Sequence, residues 1–192
     1  MQANSFPGAQ LLIDTIDGAV KQDCEHAITD CLRNALCRII RQHDVTLPAC
    51  IFEPMADRYA RRELHRSEEH GYSVIAMTWG PGQGTLIHDH SGMWCVEGVF
   101  QGALEITQYE MAESDGERCR FQAVGTMQAG AGSAGSLIPP HEYHTIKNPS
   151  DDGVSVTLHI YRGAMSCCSV FQPTADGWYQ RQLRQLGVDA AT

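Results

Sequence analysis

Two histidines one residue apart, in Gly82-Gln-Gly-Thr-Leu-Ile-His88-Asp-His90, are the first residues in this chain whose spacing suggests chemistry. On an extended strand, side chains two apart leave the same face, so both imidazoles can meet one ion. A third, His144, stands in Pro139-Pro-His-Glu-Tyr-His144-Thr-Ile-Lys-Asn148, after a proline-bounded turn and at the start of another predicted strand. Three neutral imidazoles with open positions suit a reactive divalent metal and suit Mg²⁺ or Ca²⁺ poorly. Any one of these histidines taken alone is better explained as a surface or satisfied core residue, and the HxH pair by itself is a weak signal. A second cluster lies in Thr157-Leu-His159-Ile-Tyr161, where alternation puts three polar side chains on one strand face, directed inward if Leu158 and Ile160 point outward. Such a triad is costly inside a barrel unless its members bond one another or a ligand.

The elements that must position these groups change character along the chain. From Asp23 to about His43, apolar positions Ala27, Ile28, Cys31, Leu32, Ala35, Leu36, Ile39 and Ile40 recur at spacings of three and four, the period of a helix buried on one face. Asp23 is its expected N-cap, and Cys24, Cys31 and Cys37 are read as small hydrophobes of the core. Pro48 and Pro54 close the segment. From Tyr72 onward, short runs rich in Val, Ile, Thr and aromatics alternate with glycine clusters. They predict strands at Tyr72–Trp79, Thr85–His90, Trp94–Phe100, Ala103–Met111, Arg118–Val124, Ser136–Ile138, His144–Asn148 and Val154–Arg162, a count that suits a closed barrel or jelly roll. The stretch 58–66 reads on its own as an exposed, basic, helix-like run, and Trp178–Thr192 as a short helix or strand covering an edge. The expectation is one domain, with a helical segment 1–54 packed on a barrel 55–172 and a tail 173–192.

At 192 residues and 43% apolar composition, the chain is long enough for a full core in a single domain. A formal charge of −9, from 14 Lys+Arg against 23 Asp+Glu, argues against nucleic acid or an anionic membrane as partner and favours a small-molecule substrate. No stretch approaches the roughly 20 apolar residues of a membrane span, and no basic region precedes the short apolar run near the N-terminus. A soluble, cytoplasmic monomer or weak homodimer is expected. Eight cysteines without a CxxC pair read as reduced thiols in that setting.

Gly82-x5-His88-x-His90 and Pro139-x4-His144-x3-Asn148 resemble the two signature motifs of the cupin superfamily. That resemblance implies a mainly β fold, a cupin double-stranded β-helix (jelly-roll barrel) with N-terminal α-helices. The usual first motif carries a ligating glutamate four or five residues after the HxH. Here Cys95 holds that place, Gly102 follows as the motif requires, and Glu97 is two residues late. Three histidines with cysteine at the glutamate position resemble the cysteine dioxygenase family, the thiol dioxygenases of this superfamily, in a bacterial member. Tyr59-Ala-Arg61, the strand ending Trp79-Gly, and Thr157 through Tyr161 resemble family segments in order and spacing, over roughly residues 55–172.

The resemblance implies Fe(II) held by His88, His90 and His144, leaving three cis positions for the thiolate and amine of the substrate and for O₂, with both oxygen atoms passing to sulfur to give a sulfinic acid. It implies that Arg61 reads the substrate carboxylate, with Arg62 as an adjacent alternative and Tyr59 adding a hydroxyl. It further implies that His159 orients the Tyr161 hydroxyl, with Thr157 in place of a commoner serine, that Cys95 and Tyr161 can join in a thioether, and that Cys168 lies near the pocket. Arg162-Gly163 departs from the mammalian-type Ser-Pro-Pro, which leaves the thiol open. L-cysteine, oxidised to cysteine sulfinic acid, is the expected substrate because of Arg61. The alternatives are 3-mercaptopropionate and mercaptosuccinate, whose extra carboxylate would need a second base such as Arg62 or Arg162. A non-oxygenase cupin, either a metal-dependent isomerase or a ligand-sensing module, is the remaining reading.

Overall fold

A computed structural model of the chain describes residues 5–190. Two helices open it, α1 at Ala9–Ala19 and α2 at Glu25–Gln42. The apolar period predicted for α2 is present, and its inward face carries Leu32, Ala35, Leu36, Ile39 and Ile40. Cys24, not Asp23, occupies the N-cap position, without a side-chain cap. The cysteines do not join the core: Cys24 and Cys31 are exposed and Cys37 is half-buried. Thr29 is buried on the inward face, and Cys31 adjoins Leu32 in sequence but turns toward solvent.

Eleven strands follow among the described residues. They are β1 (Ala60–Ser67), β2 (Tyr72–Trp79), β3 (Ile87–His88), β4 (Cys95–Gln101), β5 (Ala103–Ser114), β6 (Arg118–Gly130), β7 (Ala134–Leu137), β8 (His144–Lys147), β9 (Ser155–Arg162), β10 (Cys167–Pro173) and β11 (Tyr179–Gln185). One sheet runs β1-β2-β9-β4-β7 and the other closes in the order β10-β11-β6-β5-β8-β3, every pairing antiparallel. This is the mainly β cupin barrel with N-terminal helices that the motifs imply.

Residues 58–66 do not form the exposed helix-like run that their charge suggests. Most of them build β1, with Arg61 and Arg62 buried. The last predicted segment contains β11, which pairs with β10 and β6.

Strands β2 and β9 lie inside the first sheet and are buried on both faces; β2 is accordingly apolar along most of its length, whereas β9 alternates apolar residues with the buried polar Thr157, His159 and Tyr161. Val74, Ala76, Val156, Leu158 and Ile160 pack outward with Leu36 and Ile39 of α2. Ile75, Met77, Trp79 and Tyr161 face the barrel interior. Gly98 lets α2 approach β4, since a Cβ there would meet Leu36 Cδ1 at 3.1 Å and Ile40 Cδ1 at 3.2 Å. The motif glycine Gly102 sits at φ +75°, and any Cβ would run into Ser155.

Candidate metal centre

The short strand β3 pairs with β8 so that His88 faces His144 directly, and His90 follows two residues on. One ligand nitrogen from each of the three lies within 4.8 Å of the others. Two of the rings are fixed by backbone carbonyls: His88 Nδ1 lies 3.1 Å from Leu86 O and His144 Nδ1 2.9 Å from Glu142 O. These contacts place the proton on Nδ1 and leave Nε2 as the free donor, as metal-binding imidazoles require. His90 Nε2 and His144 Nε2 are buried without any hydrogen-bond partner. Burial drives the His88 imidazole down to a pKa of about 3 and holds His90 well below its ordinary value. Neutral imidazoles with unbonded, converging nitrogens fit a divalent transition ion.

Two acidic residues with no assigned role in the sequence reading adjoin these rings. Glu142 accepts the His90 backbone N–H at 2.8 Å, and its Oε2 faces His90 Nδ1 at 3.3 Å without hydrogen-bond alignment. Glu97 Oε1 lies 3.1 Å from His159 Nδ1 and 3.4 Å from His144 Nε2. Burial opposes ionisation of Glu97, but the facing His159 and His144 rings hold its carboxyl well below the usual range. His144 responds in the complementary direction: burial disfavours its charged form, but the Glu97 carboxylate raises its pKa.

The polar face of β9 is a hydrogen-bonded chain. Trp79 Nε1 donates to Thr157 Oγ1 at 2.9 Å, Thr157 Oγ1 is 2.7 Å from His159 Nε2, and His159 Nδ1 is 3.2 Å from the Tyr161 hydroxyl. With the ring proton on Nδ1, His159 donates to the Tyr161 oxygen and its Nε2 accepts from Thr157. The Tyr161 oxygen is then held by His159 while its own hydrogen stays free to turn into the cavity. Burial raises the Tyr161 and Cys95 pKa values well above normal, so both stay protonated at neutral pH. Across the sheet Cys95 is the register partner of Tyr161, and Glu97 that of His159.

A narrow cavity of about 30 Å³ is lined by His88, His90, Glu97, His159 and Tyr161 on one side and by Tyr59, Arg61, Cys168 and Arg184 on the other. Tyr59, Arg61 and Arg184 also line a wider surface depression of about 650 Å³. Tyr59 packs against Trp79, ring centroids 4.6 Å apart and planes tilted by 32°. The Arg61 guanidinium donates to Gly187 O at 3.0 Å and Met165 O at 3.3 Å, so it ties down the C-terminal segment while keeping further N–H groups for a ligand. Arg62 turns away to Thr78 Oγ1 and Glu53 O, and Arg162 reaches out to Glu25. The second cavity cation is therefore Arg184, which comes from β11. Arg184 stands opposite Cys168 in the β10–β11 hairpin, beyond the residues that carry the family resemblance.

A family model described as cysteine dioxygenase type I matches residues 50–174. The cysteine dioxygenase type 1 of Danio rerio is 28% identical over 103 residues, covering 52% of this chain and 49% of that protein. That of Rattus norvegicus is 23% identical over 100 residues, with coverage of 52% and 49%. The chain thus spans about half the length of the curated relatives it matches. Among solved structures, a protein from Thermus thermophilus superposes with a TM-score of 0.46 at 17% identity, over 59% of this chain and 90% of that one. A double-stranded β-helix protein from Klebsiella pneumoniae gives a TM-score of 0.45 at 16% identity, over 58% and 78%. No helix among the described residues is long and apolar enough to cross a membrane.

Proposed function

This chain belongs to the cysteine dioxygenase type I family, and we propose that it is an Fe(II)-dependent dioxygenase that converts L-cysteine and O₂ to cysteine sulfinic acid. The observation that carries this reading is one cavity lined by His88, His90 and Arg61 together, with His144 closing the ligand set. Ferrous iron, when bound by His88, His90 and His144, supplies the redox chemistry that a closed-shell thiol and dioxygen lack. Both atoms of O₂ end on sulfur, whose four-electron oxidation from thiol to sulfinic acid balances the reduction of O₂ without an external reductant.

The protein side chains bind and orient. Arg61 offers planar, charge-assisted N–H groups to the substrate carboxylate in the cavity that the imidazoles also line. Tyr59, packed against Trp79, lines the same cavity. Thr157 and His159 hold the Tyr161 oxygen, so its hydroxyl can donate to a group developing negative charge beside the histidines. The apolar wall of Met77, Ile146 and Val170 excludes water from the reacting atoms.

Arg184 favours a second reading. With Arg61 it places two guanidinium groups at one cavity, which suits a thiol carrying two carboxylates, such as mercaptosuccinate. Oxygen uptake by iron-loaded protein, measured with quantified sulfinate product across L-cysteine, 3-mercaptopropionate and mercaptosuccinate, tests both. Preference for L-cysteine supports the first reading. Turnover of mercaptosuccinate at least about tenfold more efficient replaces it with the second, and uptake with none of these thiols refutes both.

A further inference from the structure

Trp79 closes β2 with its side chain fully buried on the interior face. It is the register partner of Ser155, so Thr157, two residues along β9, is its diagonal neighbour on the same face. The backbone beneath the indole is pinned by Asn148 Nδ2, which donates to Trp79 O at 2.9 Å and to Gly80 O at 3.1 Å. Tyr59 packs against the ring itself. An indole held in this way aims a single N–H, and that group can only donate. It points at Thr157 Oγ1, 2.9 Å away.

Thr157 is 2% exposed, and among the described residues its hydroxyl has two partners, Trp79 Nε1 and His159 Nε2. If Nε2 also carried a hydrogen, two donors would converge on Oγ1 and the threonine's own hydrogen would be buried without an acceptor, which is costly. The arrangement that satisfies every group runs one way. Trp79 donates to Thr157, Thr157 donates to Nε2, and the ring hydrogen sits on Nδ1, 3.2 Å from the Tyr161 oxygen and 3.1 Å from Glu97 Oε1. Both of those oxygens can accept it.

We propose that Trp79 is a positioning residue that sets the direction of this relay. It acts through Thr157 and His159, and the result appears at Tyr161: a hydrogen already on Nδ1 prevents the phenol from donating back to the ring, so the phenol hydrogen turns into the cavity. Without the indole N–H, Thr157 can accept from Nε2, Nδ1 gives up its hydrogen, and Tyr161 donates backwards. The inference rests on the reading of Tyr161 as the hydroxyl donor beside the histidines.

Nitrogen-15 chemical shifts of His159 in zinc-loaded protein, which is diamagnetic, locate the ring hydrogen without turnover. The native protein shows a bare Nε2 and a hydrogen on Nδ1. Trp79→Phe keeps an aromatic ring against Tyr59 but removes the N–H. In that variant Nε2 gains a hydrogen, and in the iron-loaded form kcat falls roughly tenfold or more while KM changes less than about twofold. A bare Nε2 in Trp79→Phe overturns the proposal, and so does a hydrogen on Nε2 in the native protein. These shifts are read whether or not a thiol is turned over, so an inactive protein sinks the dioxygenase reading and leaves the relay to be decided by them. Because Trp79 acts only through Thr157, Trp79→Phe in a Thr157→Val background lowers kcat no further, whereas losses that multiply assign Trp79 to packing alone and overturn the proposal. If Trp79→Phe fails to melt cooperatively, benzothienylalanine at position 79, with sulfur in place of the N–H at nearly the same volume, gives the same readout: a hydrogen on Nε2 supports the relay direction and a bare Nε2 refutes it.

Discussion

Cys95 and Tyr161 are direct register partners on the antiparallel strands β4 and β9, and both side chains belong to the cluster that faces the barrel interior. Opposed residues on an antiparallel pair have Cβ atoms about 4.5–5.5 Å apart, within reach of a bond between sulfur and the tyrosine ring. A Cys95–Tyr161 thioether should form in part during turnover. It removes two hydrogens, so peptide mass spectrometry of iron-loaded protein after many turnovers detects it. Quantitative recovery of both unmodified peptides would contradict the prediction. Cys95→Ala should retain reduced activity, since the cysteine is not a ligand in this scheme.

Arg61→Ala should lower kcat/KM for L-cysteine by roughly 30- to 1000-fold, corresponding to a charge-assisted pair worth about 2–4 kcal/mol. Arg61→Lys should recover part of the loss, because an ammonium keeps the charge without the planar fork. Because Arg61 also bonds Gly187 O and Met165 O, the control is cysteamine, which lacks the carboxylate. Cysteamine should be a poor substrate that loses little further in Arg61→Ala. Equal sensitivity of the two thiols would assign Arg61 to the fold alone.

Arg184→Ala separates the substrate readings. L-cysteine turnover should fall less than tenfold, since Arg184 is largely exposed and a single carboxylate is satisfied by Arg61. Turnover of mercaptosuccinate should fall further than that of cysteine. The reverse order, measured as kcat/KM for both thiols, would show that Arg184 reads the cysteine carboxylate.

Metal-free protein should weaken on acidification. Folded His88 stays neutral down to about pH 3, whereas an unfolded histidine takes up its proton near pH 6.5. Between these values the unfolded chain binds more protons, so stability falls as pH falls, by up to about 1.4 kcal/mol per pH unit. His90, depressed by burial, adds a loss of the same sign. Glu97, whose folded value is depressed, stabilises above the ordinary carboxylate range and loses that contribution below it. His144, raised by Glu97, contributes stability below pH 6.5 and runs the other way. Urea unfolding in chelator at about pH 7 and about pH 5 should show the lower midpoint at pH 5, and an unchanged or higher midpoint would contradict it.

Substitution of the ligand set should remove metal. His88→Ala, His90→Ala and His144→Ala should each lose bound iron, while His26→Ala and His65→Ala, outside the cavity, should keep about one iron per chain. Metal analysis of the purified variants decides, and iron retained by all three ligand variants would refute the centre.

How far the sequence carries depends on whether a feature is local. β2 spans Tyr72–Trp79 as predicted, because an apolar run bounded by Gly71 and Gly80 needs no tertiary information. The helix over α2 is equally local, but Cys31 misleads: a cysteine beside Leu32 satisfies the period on paper while its side chain faces solvent. Barrel strand β1 is hidden by its charges. Arg61 and Arg62 look solvated until the carbonyls of Met165, Gly187 and Glu53 that satisfy them are known. Glu97 is set aside when residues are counted against a motif, yet strand parity alone places it on the Cys95 face. Arg184 lies opposite Cys168 across the β10–β11 hairpin, whose Asp176-Gly177 turn is a local signal, but which charged residue of β11 reaches the cavity is set by the barrel and not by that turn.

The central claim is that this chain transfers both atoms of one O₂ to a thiol sulfur at an iron centre. Its most direct test is turnover of iron-loaded protein with L-cysteine under ¹⁸O₂, with the sulfinate analysed by mass spectrometry and zinc-loaded protein run in parallel. The account predicts cysteine sulfinic acid carrying two heavy oxygens from the iron form and none from the zinc form. Cysteine recovered unoxidised, sulfinate whose second oxygen comes from water, or equal product from zinc-loaded protein would contradict it.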